Sequence, residues 1–246
     1  HGLFLLLAVL VAVPVIEMIP NAALAAMLTF VGFKLAHFNG RTWVPTDRLM
    51  EAGRLANLPV IVDFGGATPY LPLDSLFNVK FRPGDIYTHA FGGNGSTSPN
   101  GRESIVDVTT NKVKPYVIKA QNRGVIFDVG FGGGSFNFNQ ALPALKAGFY
   151  PNTMGTDLHQ GSVNGAMKDQ LNVLSIFMAM GMKFSDMIKA STWTPAQVIK
   201  REELGNLSEG SVADVAILSI RDGKFGFRDV AGNRFDGKQK IDCELT

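Results

Sequence analysis

Short apolar runs rich in β-branched residues alternate with amphipathic stretches along the chain after residue 33. This alternation predicts βαβ units with a parallel sheet, and hence an α/β fold. Val60-Ile61-Val62 and Val125-Ile126-Phe127 are continuously apolar, which is typical of strands buried on both faces. The predicted strands are 30–35, 60–64, 85–89, 125–129 and 153–158. The predicted helices are 45–56, 71–77, 115–122, 140–147, 168–180, 184–191 and 195–200.

Each predicted strand ends at or near a polar or ionisable residue, namely Lys34, Asp63, His89, Asp128 and Asp157. The carboxyl ends of parallel barrel strands form the face on which barrel enzymes place their chemistry. The pattern therefore favours a TIM-type (β/α)8 barrel. An open α/β sheet is the alternative.

The two ends of the chain differ from this middle part. Glu17 is the only ionisable residue between Leu3 and Phe33, so residues 1–29 are predicted to be an apolar helical segment. Membrane contact through residues 3–33 and a signal-peptide-like role both stay open. Residues 203–246 show short strands with glycine-containing turns at 221–224 and 231–233, which predicts a small β module. The predicted domains are therefore 1–29, 30–202 (barrel portion) and 203–246.

Composition narrows the classes of function. The chain is 46% hydrophobic and 18% charged, an ordinary globular balance. Its net charge of +2 is spread without a basic run, so nucleic-acid binding is not expected. The single cysteine, Cys243, excludes an intrachain disulfide and a cysteine-built zinc site. It fits a reducing compartment, so a cytoplasmic location is expected, with membrane association through the N-terminal segment as the alternative.

Several of these residues suit a hydrolytic metal site, which needs ligands for a cation that lowers the pKa of bound water and a base that moves the proton. His89, which a glycine-rich loop follows, is either a metal ligand or a packed histidine. Asp157 is either a ligand or general base, or else a turn aspartate. His159 lies on the same side as Asp157 if the strand continues, and it either orients substrate or caps the loop.

The remaining candidates are equally open at this stage. Lys34 either carries a carbamate that bridges two metals or extends from the apolar segment to water. Asp63 and Asp128 either hold metal or bond to backbone amides. The run Gly132-Gly133-Gly134 lets backbone approach closely, and Gly133 is a predicted substrate contact. Its surroundings lack the strand, GxGxxG and helix of a dinucleotide site.

Seven segments in unbroken order carry a family resemblance: 31–38, 58–65, 82–89, 124–130, 132–136, 156–159 and 203–216. Among them are Arg82-Pro-Gly-Asp-Ile-Tyr-Thr-His89 and Thr156-Asp157-Leu158-His159. Over about residues 30–246 the chain resembles the amidohydrolase/deacetylase family, dihydroorotase-like metallohydrolases of the amidohydrolase superfamily.

The resemblance implies part of a TIM-type (β/α)8 barrel, made of its C-terminal strands, with one or two divalent metals, usually zinc. Closing β-sandwich strands flank this barrel. It implies hydrolysis of an amide or ester bond in a small molecule such as an N-acyl compound. By position, it implies that Lys34 is the carbamylated bridging lysine, His89 a metal ligand, and Asp157 both ligand and base. Asp63 stands where many members have a metal-binding histidine, and it is a further predicted ligand.

Two departures from the family pattern remove histidines that the family's chemistry uses. The chain has no His-x-His pair, which the superfamily's first strand uses for the more buried metal, and Phe131 stands where the family typically has a histidine. Little or no turnover is therefore expected from the chain in isolation. An incomplete barrel also has open sheet edges, which a homo-oligomer partner or the N-terminal segment is expected to cover.

Residues 3–34 resemble something else, a transmembrane segment of the sulfate permease family, most clearly over residues 17–28. Together the two resemblances suggest a fragment or a chimera. The alternative function is a non-catalytic membrane-anchored or transporter-linked module. It rests on Glu17, because acidic residues within a membrane usually have a function.

Overall fold

The computed structural model describes residues 42–65, 71–93 and 102–245. Helices and short strands alternate through its first two thirds, and a long hairpin closes it. The helices are α1 (Val44–Leu55), α2 (Leu73–Ser75, continued by a π-helical turn at Leu76–Lys80), α3 (Pro115–Asn122), α4 (Phe138–Lys146), α5 (Gln170–Ala179), α6 (Phe184–Ser191) and α7 (Trp193–Val198). The strands are β1 (Ile61–Val62), β2 (Ile86–Tyr87), β3 (Val106–Asp107), β4 (Lys112–Val113), β5 (Ile126–Phe127), β6 (Ile217–Arg228) and β7 (Arg234–Leu245).

A parallel sheet of order β1-β2-β5 lies at the centre of the fold. Val62, Tyr87 and Phe127 stand side by side in its register, and all three are buried. Continuous apolar runs predicted these strands because both faces of the sheet are covered. The mixed α/β fold with a parallel sheet is confirmed.

The helices agree well with the sequence pattern, and the bounds of α3 and α6 are those predicted. The predicted strand at 153–158 is reduced to a single parallel bridge between Asp128 and Thr153. The neighbouring backbone still follows β5, since the N–H groups of residues 129, 131 and 132 donate to the carbonyls of residues 153, 155 and 156. The positive φ of Asp157, 50°, ends this extended course.

At the C-terminus, β6 and β7 form one antiparallel hairpin. The predicted turn at 221–224 is wrong, because β6 runs through it with a register shift between Asp222 and Phe225. The turn at 231–233 is where it was predicted. The hairpin packs on α5, where the Ile241 N–H donates to Ser175 Oγ at 2.9 Å. The β3–β4 hairpin was not predicted, and a sandwich at residues 203–246 stays a prediction.

Several predictions fall on residues outside the described ranges. These are the apolar segment 1–29 with its membrane contact, the first strand and Lys34. Within the described ranges, every helix is too short or too polar to cross a bilayer.

Candidate functional site

Three predicted metal ligands meet at the carboxyl edge of the parallel sheet. Asp63 directly follows β1, and His89 lies two residues beyond β2. Asp157 directly follows the extended segment 153–156, which is hydrogen-bonded to the backbone just after β5. His89 Nε2 is 3.7 Å from Asp63 Oδ2 and 3.8 Å from Asp157 Oδ2. The carboxyl ends of parallel strands meet at one edge, so side chains far apart in sequence come together here.

The backbone fixes the tautomer of His89. Its Nδ1 contacts the carbonyl oxygen of Gly130, and because a carbonyl only accepts, Nδ1 carries the proton. The neutral ring then presents the Nε2 lone pair to the two carboxylates. Lone pair and carboxylates repel each other unless positive charge lies between them, as a second ring proton or a bound cation. Metal-binding histidines commonly donate their other N–H to a carbonyl in this way.

Asp157 is the half-exposed member of the group. Its side chain keeps 42% of its surface, whereas the side chains of His89 and Asp63 keep 5% and 6%. Partial burial raises the pKa of Asp157, His89 and His159 oppose that shift, and the negative charges of Asp63 and Asp128 add to it. A partly exposed carboxyl group with a raised pKa is suited to proton transfer.

His159 lies on the other side of Asp157 and has the opposite tautomer. The Gly161 N–H donates to His159 Nδ1 at 3.0 Å, so the neutral ring carries its proton on Nε2. That Nε2 is 4.0 Å from Asp157 Oδ2. The buried Ser162 hydroxyl accepts from the His159 N–H at 2.9 Å and lies 3.1 Å from the Asp157 carbonyl oxygen. The loop thus holds an exposed N–H donor beside the carboxylate.

The glycine run packs against this loop. A Cβ on Gly132, which has φ 54°, would lie 2.5 Å from Asp157 Oδ2. A Cβ on Gly133 would lie 3.3 Å from the Gly161 carbonyl oxygen and 3.8 Å from His159 Cε1. Gly133 therefore lies beside His159, and the role of both residues as substrate contacts stays a prediction.

Arg102 is a site residue that the sequence did not reveal. Its Nη2 contacts Asp63 Oδ1, on the carboxyl oxygen that does not face His89. It comes from a loop and no periodic pattern marks it. The one available signal was the excess of strand-end carboxylates, which need a counter-charge.

Two other residues noted in the sequence, Asp128 and Phe131, are buried parts of the fold. Asp128 accepts hydrogen bonds from the Thr88 hydroxyl, the Thr153 hydroxyl and the Gly155 N–H at 2.8, 2.6 and 3.0 Å. Phe131 is fully buried and stacks on Phe136 with the ring centroids 4.4 Å apart. The position where the family typically has a histidine is therefore core.

The donor set suits a divalent cation in its chemistry. One imidazole lone pair and two carboxylate oxygens are ligands that zinc accepts. The spacings of 3.7 and 3.8 Å are close to the separation of neighbouring ligands around zinc, about 3.4 Å for bonds of about 2.1 Å. Within the described ranges, no group of three or more His, Cys, Asp or Glu residues is arranged so that it could hold a metal ion. The described donors are therefore of the right chemical kind for a cation, but they do not form a complete site.

Comparison with known proteins agrees with the resemblance to amidohydrolases. Residues 134–237 match the amidohydrolase family. A deacetylase of Enterococcus faecalis is 32% identical over 166 residues, which cover 67% of this chain and 42% of that protein. The crystal structure of an adenine deaminase matches with a TM-score of 0.73 at 28% identity, covering 82% of this chain and 52% of that one. A dihydroorotase structure matches with a TM-score of 0.69 at 25% identity, covering 82% and 51%.

The chain spans about half the length of the relatives it matches. None of these matches supports the resemblance of residues 3–34 to sulfate permeases. The family match, the deacetylase relatives and the dihydroorotase structure support the amidohydrolase superfamily as the family of this chain.

Proposed function

We propose that this chain carries part of the active site of a divalent-cation-dependent hydrolase of amide bonds, with N-acyl compounds as the first substrates to test and esters as the second. The observation that carries the proposal is the state of His89. Its Nδ1 proton is committed to Gly130, and its Nε2 lone pair faces Asp63 and Asp157 at 3.7 and 3.8 Å. A cation at Nε2 satisfies all three groups.

The proposed ligands are His89 Nε2, Asp157 Oδ2 and Asp63 Oδ2, with Lys34 as a further predicted ligand outside the described residues. Zinc is the proposed metal because imidazole and carboxylate suit it. When bound, such a cation lowers the pKa of water toward 7 and polarises the substrate carbonyl.

Asp157 is the proposed general base. Its partial exposure beside His89 lets it take a proton from the attacking water and return that proton to the leaving nitrogen. The Nε2–H of His159, 4.0 Å from Asp157 Oδ2, is the proposed donor to a substrate carbonyl oxygen. Gly133, which has no side chain, is the proposed backbone contact of the substrate beside that ring.

The relatives named deacetylases favour an N-acyl substrate. The chain lacks the His-x-His pair that serves the more buried metal, so we expect no more than one metal ion per chain and low turnover from these 246 residues alone. Self-association and a cytoplasmic location stay predictions.

The test is metal analysis of the purified chain, followed by hydrolysis assays on a panel of N-acyl amino acids. We expect about one zinc ion per chain. We also expect His89→Ala to lower zinc affinity by at least about tenfold. A wild-type chain that binds zinc no better than the His89→Ala variant would rule the proposal out.

A further inference from the structure

Arg102 and Asp63 form an ion pair at the edge of the candidate metal site. The Arg102 side chain keeps 19% of its surface and the Asp63 side chain 6%. Nη2 of Arg102 contacts Oδ1 of Asp63, and Oδ2 of the same carboxyl group lies 3.7 Å from His89 Nε2. One oxygen thus faces the guanidinium and the other faces the imidazole.

The surrounding backbone is shaped around this arginine. A Cβ on Gly65 would lie 3.2 Å from Arg102 Cβ and Cγ, and a Cβ on Gly92 would lie 3.1 Å from Arg102 Cδ. Both distances are shorter than ordinary carbon contacts. Glycine at these two positions therefore leaves the space that the Arg102 side chain occupies. Close packing of this kind leaves the guanidinium little freedom to move.

Arg102 has a second neighbour besides Asp63. Its guanidinium also interacts with the phenol of the buried Tyr87. Its Nη1 is buried and, among the described residues, has no hydrogen-bond partner, which costs stability. Arg102 is also a permanent cation, with two carboxylates, Asp63 and Asp157, at the site beside it.

We propose that Arg102 is the positioning residue of the cation site, holding Asp63 by Oδ1 so that Oδ2 faces His89 Nε2. This inference rests on the proposed function. Groups that hold a ligand in place contribute to metal affinity without touching the metal. The planar guanidinium fixes the direction of a carboxylate better than a lysine ammonium does.

The test is titration of Co²⁺ into the wild-type chain and its variants, followed by the visible absorption of the bound ion. Arg102→Met is expected to weaken Co²⁺ binding by about 10- to 100-fold and to change the absorption bands. Arg102→Lys, which keeps the charge, is expected to recover part of the affinity. Arg123→Met is the matched control, because Arg123 donates to the backbone carbonyls of Phe81 and Phe77 and touches no site residue.

A second pair of variants separates positioning from general damage. If Arg102 acts through Asp63, the double variant Asp63→Asn with Arg102→Met binds Co²⁺ with an affinity within about threefold of that of Asp63→Asn alone. Three results would each overturn the inference while leaving the proposed function intact. They are a full further loss of Co²⁺ affinity when Arg102→Met is added to Asp63→Asn, an equal loss of affinity in Arg123→Met, and unchanged Co²⁺ binding by Arg102→Met. A wild-type chain that binds no Co²⁺ or Zn²⁺ would overturn the proposed function itself, and the inference with it.

Discussion

In their neutral forms, His89 and His159 present their Nε2 atoms to the same carboxylate oxygen in opposite states, one as a lone pair and the other as a donor. Both lie within 4.0 Å of Asp157 Oδ2. The backbone sets this difference, because Gly130 offers His89 a carbonyl and Gly161 offers His159 an N–H. One ring is therefore equipped to bind a cation, and the other to bind an oxygen of the substrate.

The opposite tautomers are directly measurable. In nitrogen-15 NMR of the metal-free chain at a pH where both rings are neutral, His89 should show the Nδ1–H pattern and His159 the Nε2–H pattern. Loss of each signal in His89→Gln and His159→Gln assigns it. The same tautomer for both rings would contradict the site geometry.

Gly132 lies against the reactive carboxylate. In Gly132→Ala the added Cβ would come within 2.5 Å of Asp157 Oδ2, and the backbone would hold alanine at φ 54°. Zinc affinity is expected to fall by about tenfold or more as Asp157 is displaced. The left-handed backbone should lower the free energy of unfolding by about 1–2 kcal/mol.

Gly134→Ala is the control for this change, because its Cβ would meet no atom within 4 Å. That variant should stay within about 0.5 kcal/mol of the wild type and keep its zinc affinity. Equal zinc affinity in both variants would show that the approach of Gly132 to Asp157 has no part in the site.

Asp229 fastens the C-terminal hairpin to α4. Its buried carboxylate accepts from the backbone N–H groups of Phe138, Ala231 and Asn233 at 3.1, 3.0 and 2.8 Å. Asp229→Ala leaves these donors without a partner and should lower the free energy of unfolding by about 2–4 kcal/mol. Chemical denaturation measures this, with the exposed Asp236→Ala as the control, expected within about 0.5 kcal/mol. Similar stabilities would mean that Asp229 does not fasten the hairpin.

The buried Tyr87 makes the stability of the fold depend on pH in a known direction. Burial raises the pKa of its phenol to about 12, although Arg102 opposes the shift. The folded chain thus binds this proton more tightly than the unfolded chain, in which the phenol titrates near its ordinary value of about 10. The resulting stabilisation is complete below about pH 10 and is lost as the pH rises toward 12.

Ultraviolet titration of tyrosinate tests this value. The absorbance step near pH 12 should disappear in Tyr87→Phe, and the wild type should lose more stability than that variant between pH 10 and 12. A Tyr87 phenol that ionises near the ordinary value of about 10 would contradict its burial.

The sequence predicted what depends on local pattern. Apolar runs gave the three central strands, and because parallel strand ends share one edge, Asp63, His89 and Asp157 were expected together and lie together. Their roles as ligands and base stay predictions. The turn at 221–224 was misread because glycine and polar residues are typical of turns, whereas pairing with β7 turns that stretch into an irregular strand. Arg102 could not be predicted, since its place depends on the three-dimensional path of a loop.

The most direct test of the metal site is anomalous X-ray scattering at the zinc edge from crystals of the chain grown with zinc. The account predicts a peak within bonding distance of His89 Nε2 and Asp157 Oδ2, on the side that Asp63 faces. Crystals with zinc bound only elsewhere, or with no peak between these residues, would contradict it.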